Sequence, residues 1–160
     1  MLTLIRALTY SVLFITLVLV LLPSQVMRWA GVPRPAHDGV PQALGTVLVV
    51  LGGVLAISCV VTFALAGRGT PAPFDPPRRL VTAGPYRFVR NPMYWGAFLA
   101  LAGAALFYES LALAGYALLF LGVIDQFVRW YEEPTLLRLF GEDYAAYFRD
   151  VARWWPRRRG

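Results

Sequence analysis

The chain has 160 residues, enough for one domain, and 58% of them are apolar; its mean hydropathy of +0.57 is too high for an ordinary soluble fold, where about half the residues are apolar. A net charge of +6, carried by fifteen arginines and no lysine, suits anionic lipid headgroups, and with no basic face interleaved with aromatics outside the apolar stretches nucleic acid is a poor partner. One cysteine, Cys59, and one histidine, His37, leave neither a disulfide framework nor a metal site.

Four segments are predicted to cross a bilayer, whose hydrocarbon core of about 30 Å needs about 20 helical residues. The first runs over 2–22, with Arg6 near enough to the end to snorkel; the following PSQVMRWAG lacks the small-x-small pattern of a signal cleavage site. The second, 42–66, carries no charge. The third, 92–108, is short and is expected to stand upright or to end inside the headgroup layer. The fourth, 110–128, holds one internal acid, Asp125, set to pair with Arg129 one turn on.

Arginine placement predicts the orientation. Arg68, Arg78, Arg79, Arg87 and Arg90 lie between the second and third spans and seven more arginines follow the fourth, whereas the hairpin between the third and fourth offers only Glu109. Both termini are therefore expected in the cytoplasm, in a prokaryotic inner or plasma membrane. Small residues at Gly45, Gly52, Gly53 and Ala56 in the second span, and at Gly96, Ala100 and Ala104 in the third, are expected to let helices approach closely.

Between the second and third spans, GRGTPAPFDPP is a proline-stiffened connector that cannot be helix. It leads into GPYRFVRNPMYWG, where Pro92 suits a first helical turn and Asn91 a cap before it. Arg87 and Arg90 then stand beside a helix N-terminus, a place that attracts anions. Beyond the fourth span, Leu136, Phe140, Tyr144, Tyr147, Phe148 and Val151 share one face of an amphipathic helix, followed by Trp154, Trp155 and a run of arginines. This pattern predicts a helix on the bilayer surface with an aromatic anchor.

Glu132 and Glu133 sit where the fourth span leaves the membrane. Paired acids there need a cationic partner, either an arginine of the chain or a ligand ammonium. Spacing alone leaves both open: a salt-bridge cluster within the protein, or a ligand with one positive and one negative end held between glutamates and arginines.

LVTAGPYRFVRNPMYWG, followed after a helical hairpin by EEPTLLRLFGEDYAAYFRDVARWWPR, resembles the isoprenylcysteine carboxyl methyltransferase family and the related phospholipid methyltransferases. The resemblance covers about 80–157 and has both blocks in order; Gly67-Arg68-Gly69 matches a further short element of the phospholipid enzymes. It implies an all-α integral membrane enzyme, a single domain over 1–160, that takes S-adenosylmethionine from the cytoplasm, releases S-adenosylhomocysteine, and methylates a lipid or prenylated acceptor from the bilayer. Tyr86, Arg87, Arg90, Asn91, Pro92 and Tyr94 fall in its first cofactor-binding block and Glu132 and Glu133 in its second, with a glutamate expected to meet the cofactor's ammonium and an arginine its carboxylate. Asn91 replaces the family's histidine and cannot take a proton at neutral pH.

Methyl transfer from a sulfonium relies on positioning and exclusion of water. An acceptor carboxylate of the isoprenylcysteine type needs no base, only a cation, for which Arg129 or Arg153 is expected to serve. The want of histidine near the site favours this acceptor. The alternatives are N-methylation of a phosphatidylethanolamine-like headgroup, with a glutamate or Asp125 helping to free the amine, and a noncatalytic membrane scaffold.

Overall fold

The computed structural model describes residues 9, 12–36, 39–67 and 79–156. Most of the proline-rich connector, His37 and the terminal arginines lie outside the described residues. Among the described residues there are helices and no strand, so the fold is an all-α bundle.

Helix α1 is Val12–Trp29 and α2 is Val40–Gly67, both long and apolar enough to cross a membrane. Helix α3, Pro92–Phe107, is apolar but has only 16 residues, about 24 Å. Helix α4, Leu111–Phe127, runs through a π-helical turn, Val128–Glu132, into α5, Glu133–Asp150, which breaks direction at Gly141 (φ 52°, ψ −125°). The sequence pattern separates the fourth span from the amphipathic helix, whereas the backbone runs through without a loop. From Leu111 to the break at Gly141 the helix runs about 45 Å, longer than the hydrocarbon thickness of about 30 Å. Its apolar stretch ends near Phe127, and charged residues gather from Arg129 onward.

Helix α3 sits mid-bundle between α2 and α4, with α1 against α4 and touching α3. The α2–α3 seam is antiparallel and nearly free of side chains: a Cβ on Gly52 would lie 2.5 Å from Gly96 O, and one on Gly103 2.6 Å from Gly45 O. Backbone thus meets backbone at two points seven residues apart on each helix, the close approach small residues permit within a membrane. On the other side of α3, Ala97 and Leu101 pack on Ala117 and Phe120 of α4, with Phe14 and Val18 of α1 closing the cluster. The Tyr116 hydroxyl donates to Val18 O at 2.9 Å, tying α4 to α1.

The α3–α4 hairpin turns at Tyr108–Ser110, where Glu109 takes a positive φ of 48°. Gln42 fastens it from α2, its Nε2 donating to Phe107 O and to Glu109 Oε1, each at 3.0 Å. The Ser110 hydroxyl caps α4 by accepting from Leu113 N.

Candidate functional site

At the opposite end of the bundle from Glu109, the segment before α3 and the segment after α5 meet. The first turns through a short 3₁₀ helix, Gly84–Arg87. Gly84 has φ +56°, and a side chain there would run into Thr62 of α2, so this turn needs glycine on both steric and conformational grounds. The Tyr86 ring is buried edge-on against Phe63, beside Cys59 and Val81, while its carbonyl accepts from the Tyr147 hydroxyl of α5 at 2.7 Å.

The second segment, Val151–Trp155, has no regular secondary structure. Four of its carbonyls in succession are held by the start of α3. Arg90 Nη1 donates to Val151 O (2.6 Å), the Arg90 amide to Ala152 O (2.9 Å), Asn91 Nδ2 to Arg153 O (3.5 Å) and Trp95 Nε1 to Trp154 O (2.9 Å). Trp154 Nε1 in turn donates to Asp125 Oδ1 of α4 at 2.7 Å. Trp154 and Trp155 both pack edge-on against Trp95. This segment is a strap laid across the N-terminus of α3.

Beneath the strap runs a chain of alternating charges. Arg129 Nε lies 2.8 Å from Asp125 Oδ2, Asp125 Oδ1 lies 3.6 Å from Arg153 Nη1, Arg153 Nη2 lies 2.6 Å from Glu133 Oε2, and Glu133 Oε1 lies 2.7 Å from Arg90 Nη2. Arg90 is nearly fully buried and stacks over the Phe148 ring, 4.0 Å from its centroid; its Nη1 also donates to Phe148 O at 2.9 Å. Of the paired acids, Glu133 is the one that meets arginines among the described residues. Burial alone would raise the Glu133 carboxyl, yet the hydrogen bonds from Arg153 and Arg90 overcome it and hold this group below its usual value.

Glu132 has a different environment. Among the described residues its carboxyl accepts one hydrogen bond, from the Tyr94 hydroxyl at 3.0 Å. Burial, with a smaller push from the neighbouring Glu133 charge, raises it to about 7 against the pull of Tyr94. Two glutamates adjacent in sequence are thus shifted in opposite directions. The π turn ending at Glu132 helps to separate them, as such turns often do at functional sites.

Of the residues singled out from sequence, Arg90, Asn91, Tyr94, Asp125, Arg129, Glu132, Glu133 and Arg153 gather at this end, and Pro92 is the buried first residue of α3. Arg87 is exposed and lies over Phe88, 5.3 Å from the ring centroid, apart from the cluster. Asn91 stands at the cap position before α3 as expected, but its side chain makes no capping hydrogen bond; its Nδ2 donates to the strap instead, which offers a carbonyl where the helix end offers only amides. Trp95 and Trp154 escaped the sequence reading of the site. Their signal was the indole N–H, a donor that seeks a partner when buried.

No curated protein and no solved structure matches the chain. A family model described as phospholipid methyltransferase matches residues 40–143, from the start of α2 to just past Gly141, and takes in α3, the π turn and both glutamates. With most of its length inside that match, a chain built as an apolar helical bundle belongs to the phospholipid methyltransferase family of membrane enzymes.

Proposed function

We propose that the protein transfers a methyl group from S-adenosylmethionine to a lipid-like acceptor, at the bundle end enclosed by the 84–96 segment, the π turn and the strap. The observation that carries this reading is a pair of unused polar groups. Glu132 keeps one carboxylate oxygen without a partner among the described residues, and Arg90 Nε is buried with no hydrogen-bond partner. A buried donor left unpaired is costly unless a ligand uses it. An anionic acceptor and a cationic donor at the same end of the bundle fit the ammonium and carboxylate of the cofactor's amino acid end.

When bound, S-adenosylmethionine supplies an electrophilic methyl group on a sulfonium, passed by in-line displacement to the acceptor. The chain's own residues have to orient the two reactants and exclude water. Glu132 would receive the ammonium and Arg90 Nε a carboxylate oxygen, while Tyr94 fixes the Glu132 rotamer. The strap, with Trp154 and Trp155 against Trp95, would shield the reacting pair. Tyr86, Asn91 and Pro92 would shape the rest of the cofactor wall through their buried side chains, while Arg87, exposed and apart from the cluster, would meet only the outer end of the cofactor.

For the acceptor, Arg129 is the available cation. It spends only Nε on Asp125, and its side chain is 52% exposed, so its Nη pair is free to take a carboxylate of the isoprenylcysteine type as a fork. An acceptor already ionised needs no base. The description of the matching family as phospholipid methyltransferases favours a second reading, N-methylation of a phosphatidylethanolamine-like amine. Labelled methyl transfer to both acceptor types, offered to the detergent-purified protein, decides between them. Transfer to neither, with no rise in melting temperature under saturating S-adenosylhomocysteine, would defeat the enzyme reading.

A further inference from the structure

We infer that Arg153 is a positioning residue: by claiming Glu133 and fastening the strap, it leaves Glu132 as the glutamate that meets a cationic ligand. This rests on the cofactor reading above and divides labour between two acids that the sequence presents as a pair.

The division follows from how the oxygens are filled. Glu133 Oε1 accepts from Arg90 Nη2 at 2.7 Å and from Arg153 Nε at 2.8 Å, and Oε2 accepts from Arg153 Nη2 at 2.6 Å. Arg153 thus grips the carboxylate as a two-pronged fork, which is geometrically specific and stronger than a neutral hydrogen bond. An ammonium entering at Glu133 would have to displace an arginine from a site that is about nine-tenths buried. At Glu132 it would displace nothing.

The same side chain fixes the strap. The carbonyls of Val151, Ala152, Arg153 and Trp154 are all held by residues 90–95, and the Val151 amide donates to Tyr147 O of α5 at 3.0 Å. The strap's side-chain links across to α4 and α5 are the Arg153 bridge to Glu133, the longer Arg153 approach to Asp125 and the Trp154 bond to Asp125. Without Arg153, Glu133 keeps only Arg90, and Arg90 Nη1 already serves the carbonyls of Phe148 and Val151. One guanidinium therefore closes the end of the bundle and removes one of the two acids from ligand service.

Two readouts on the full-length, detergent-purified chain test this: S-adenosylhomocysteine affinity by calorimetry, and strap exchange, read as hydrogen exchange of the Arg90 and Val151 amides, which donate to Ala152 O and Tyr147 O. Glu132→Gln should weaken binding roughly tenfold or more, as expected for losing a charged hydrogen bond, and leave strap protection unchanged. Arg153→Ala and Glu133→Gln should speed strap exchange roughly tenfold or more with a smaller loss of affinity, and Arg153→Lys should restore part of the protection. Unchanged strap exchange in both Glu133→Gln and Arg153→Ala would overturn the latch. Equal affinity losses in Glu132→Gln and Glu133→Gln, with the strap intact in both, would overturn the division of labour. If the unaltered protein binds no S-adenosylhomocysteine, the cofactor reading and the Glu132 assignment fall together, while strap exchange still decides the latch.

Discussion

The Tyr94 hydroxyl donates to Glu132 Oε2 across 3.0 Å, joining the first turn of α3 to the last residue of the π turn. It is the one hydrogen bond to Glu132 among the described residues, and it pulls against burial, which lifts the carboxyl to about 7. An acid held at that balance is ill-suited to stabilising a fold and well suited to meeting a cation.

Glu132→Gln should therefore stabilise the ligand-free protein. A carboxyl raised in the folded state from 4.5 to about 7 binds its proton more tightly folded than unfolded, so its favourable contribution is complete below about pH 4.5 and is lost as pH rises to about 7. The loss at neutral pH is about 3 kcal/mol. Melting temperatures of the two proteins should agree near pH 4.5 and diverge up to pH 7, with the variant higher, and the gap should stay constant above that. A variant that melts lower at pH 8 would contradict the weakly paired state of Glu132.

Cofactor binding should carry the opposite pH signature. Only ionised Glu132 attracts an ammonium, so affinity for S-adenosylhomocysteine should level off above about pH 7 and fall toward tenfold per pH unit below it. Tyr94→Phe removes the bond that lowers this carboxyl, which should move the midpoint upward and weaken binding at pH 7 more than at pH 8. Calorimetric titrations at pH 6, 7 and 8 check both statements; a flat profile in the unaltered protein would remove Glu132 from the ligand.

Apolar runs and glycine punctuation made the helices legible before any coordinates, because a bilayer fixes both the length and the polarity of what crosses it. The Gly45 and Gly52 contacts on Gly103 and Gly96 were half visible. Counting small residues at i, i+4 picked out Gly96, Ala100 and Ala104, whereas the seam repeats at seven residues and uses Gly103. The strap was not legible. Its bonds run to backbone carbonyls, which every residue possesses, and Trp154 reaches an acid 29 positions away, so no local period records either. The two glutamates looked equivalent in sequence because their difference lies in Arg153, 20 residues further on.

The α2–α3 seam should tolerate no added methyl group at its contact points. Alanine at Gly52 or Gly103 would place a Cβ within 2.5–2.9 Å of opposing atoms, largely rigid backbone, forcing the helices apart at a cost of about 1–3 kcal/mol. Gly53 has nothing within 4 Å of the same built atom, and alanine there should be neutral or stabilise by up to about 1 kcal/mol through helix propensity. Thermal melts in detergent of Gly52→Ala, Gly103→Ala and Gly53→Ala make the comparison. Equal behaviour of Gly52→Ala and Gly53→Ala would mean that the two backbones do not touch.

Asp125 and Trp154 should behave as one unit. Asp125 receives the Trp154 indole N–H at 2.7 Å and Arg129 at 2.8 Å, with Arg153 at 3.6 Å, so removing its carboxylate strands an indole donor and leaves three arginines facing one acid. Trp154→Phe removes the donor together with part of the ring that packs on Trp95 and should cost about 1–2 kcal/mol, and Asp125→Ala somewhat more. If the bond is formed, the double variant should be less destabilised than the sum of the singles, by about 0.5–1.5 kcal/mol. Chemical or thermal unfolding of the four proteins in one detergent supplies the cycle, and strict additivity would show that the strap does not reach α4 through this pair.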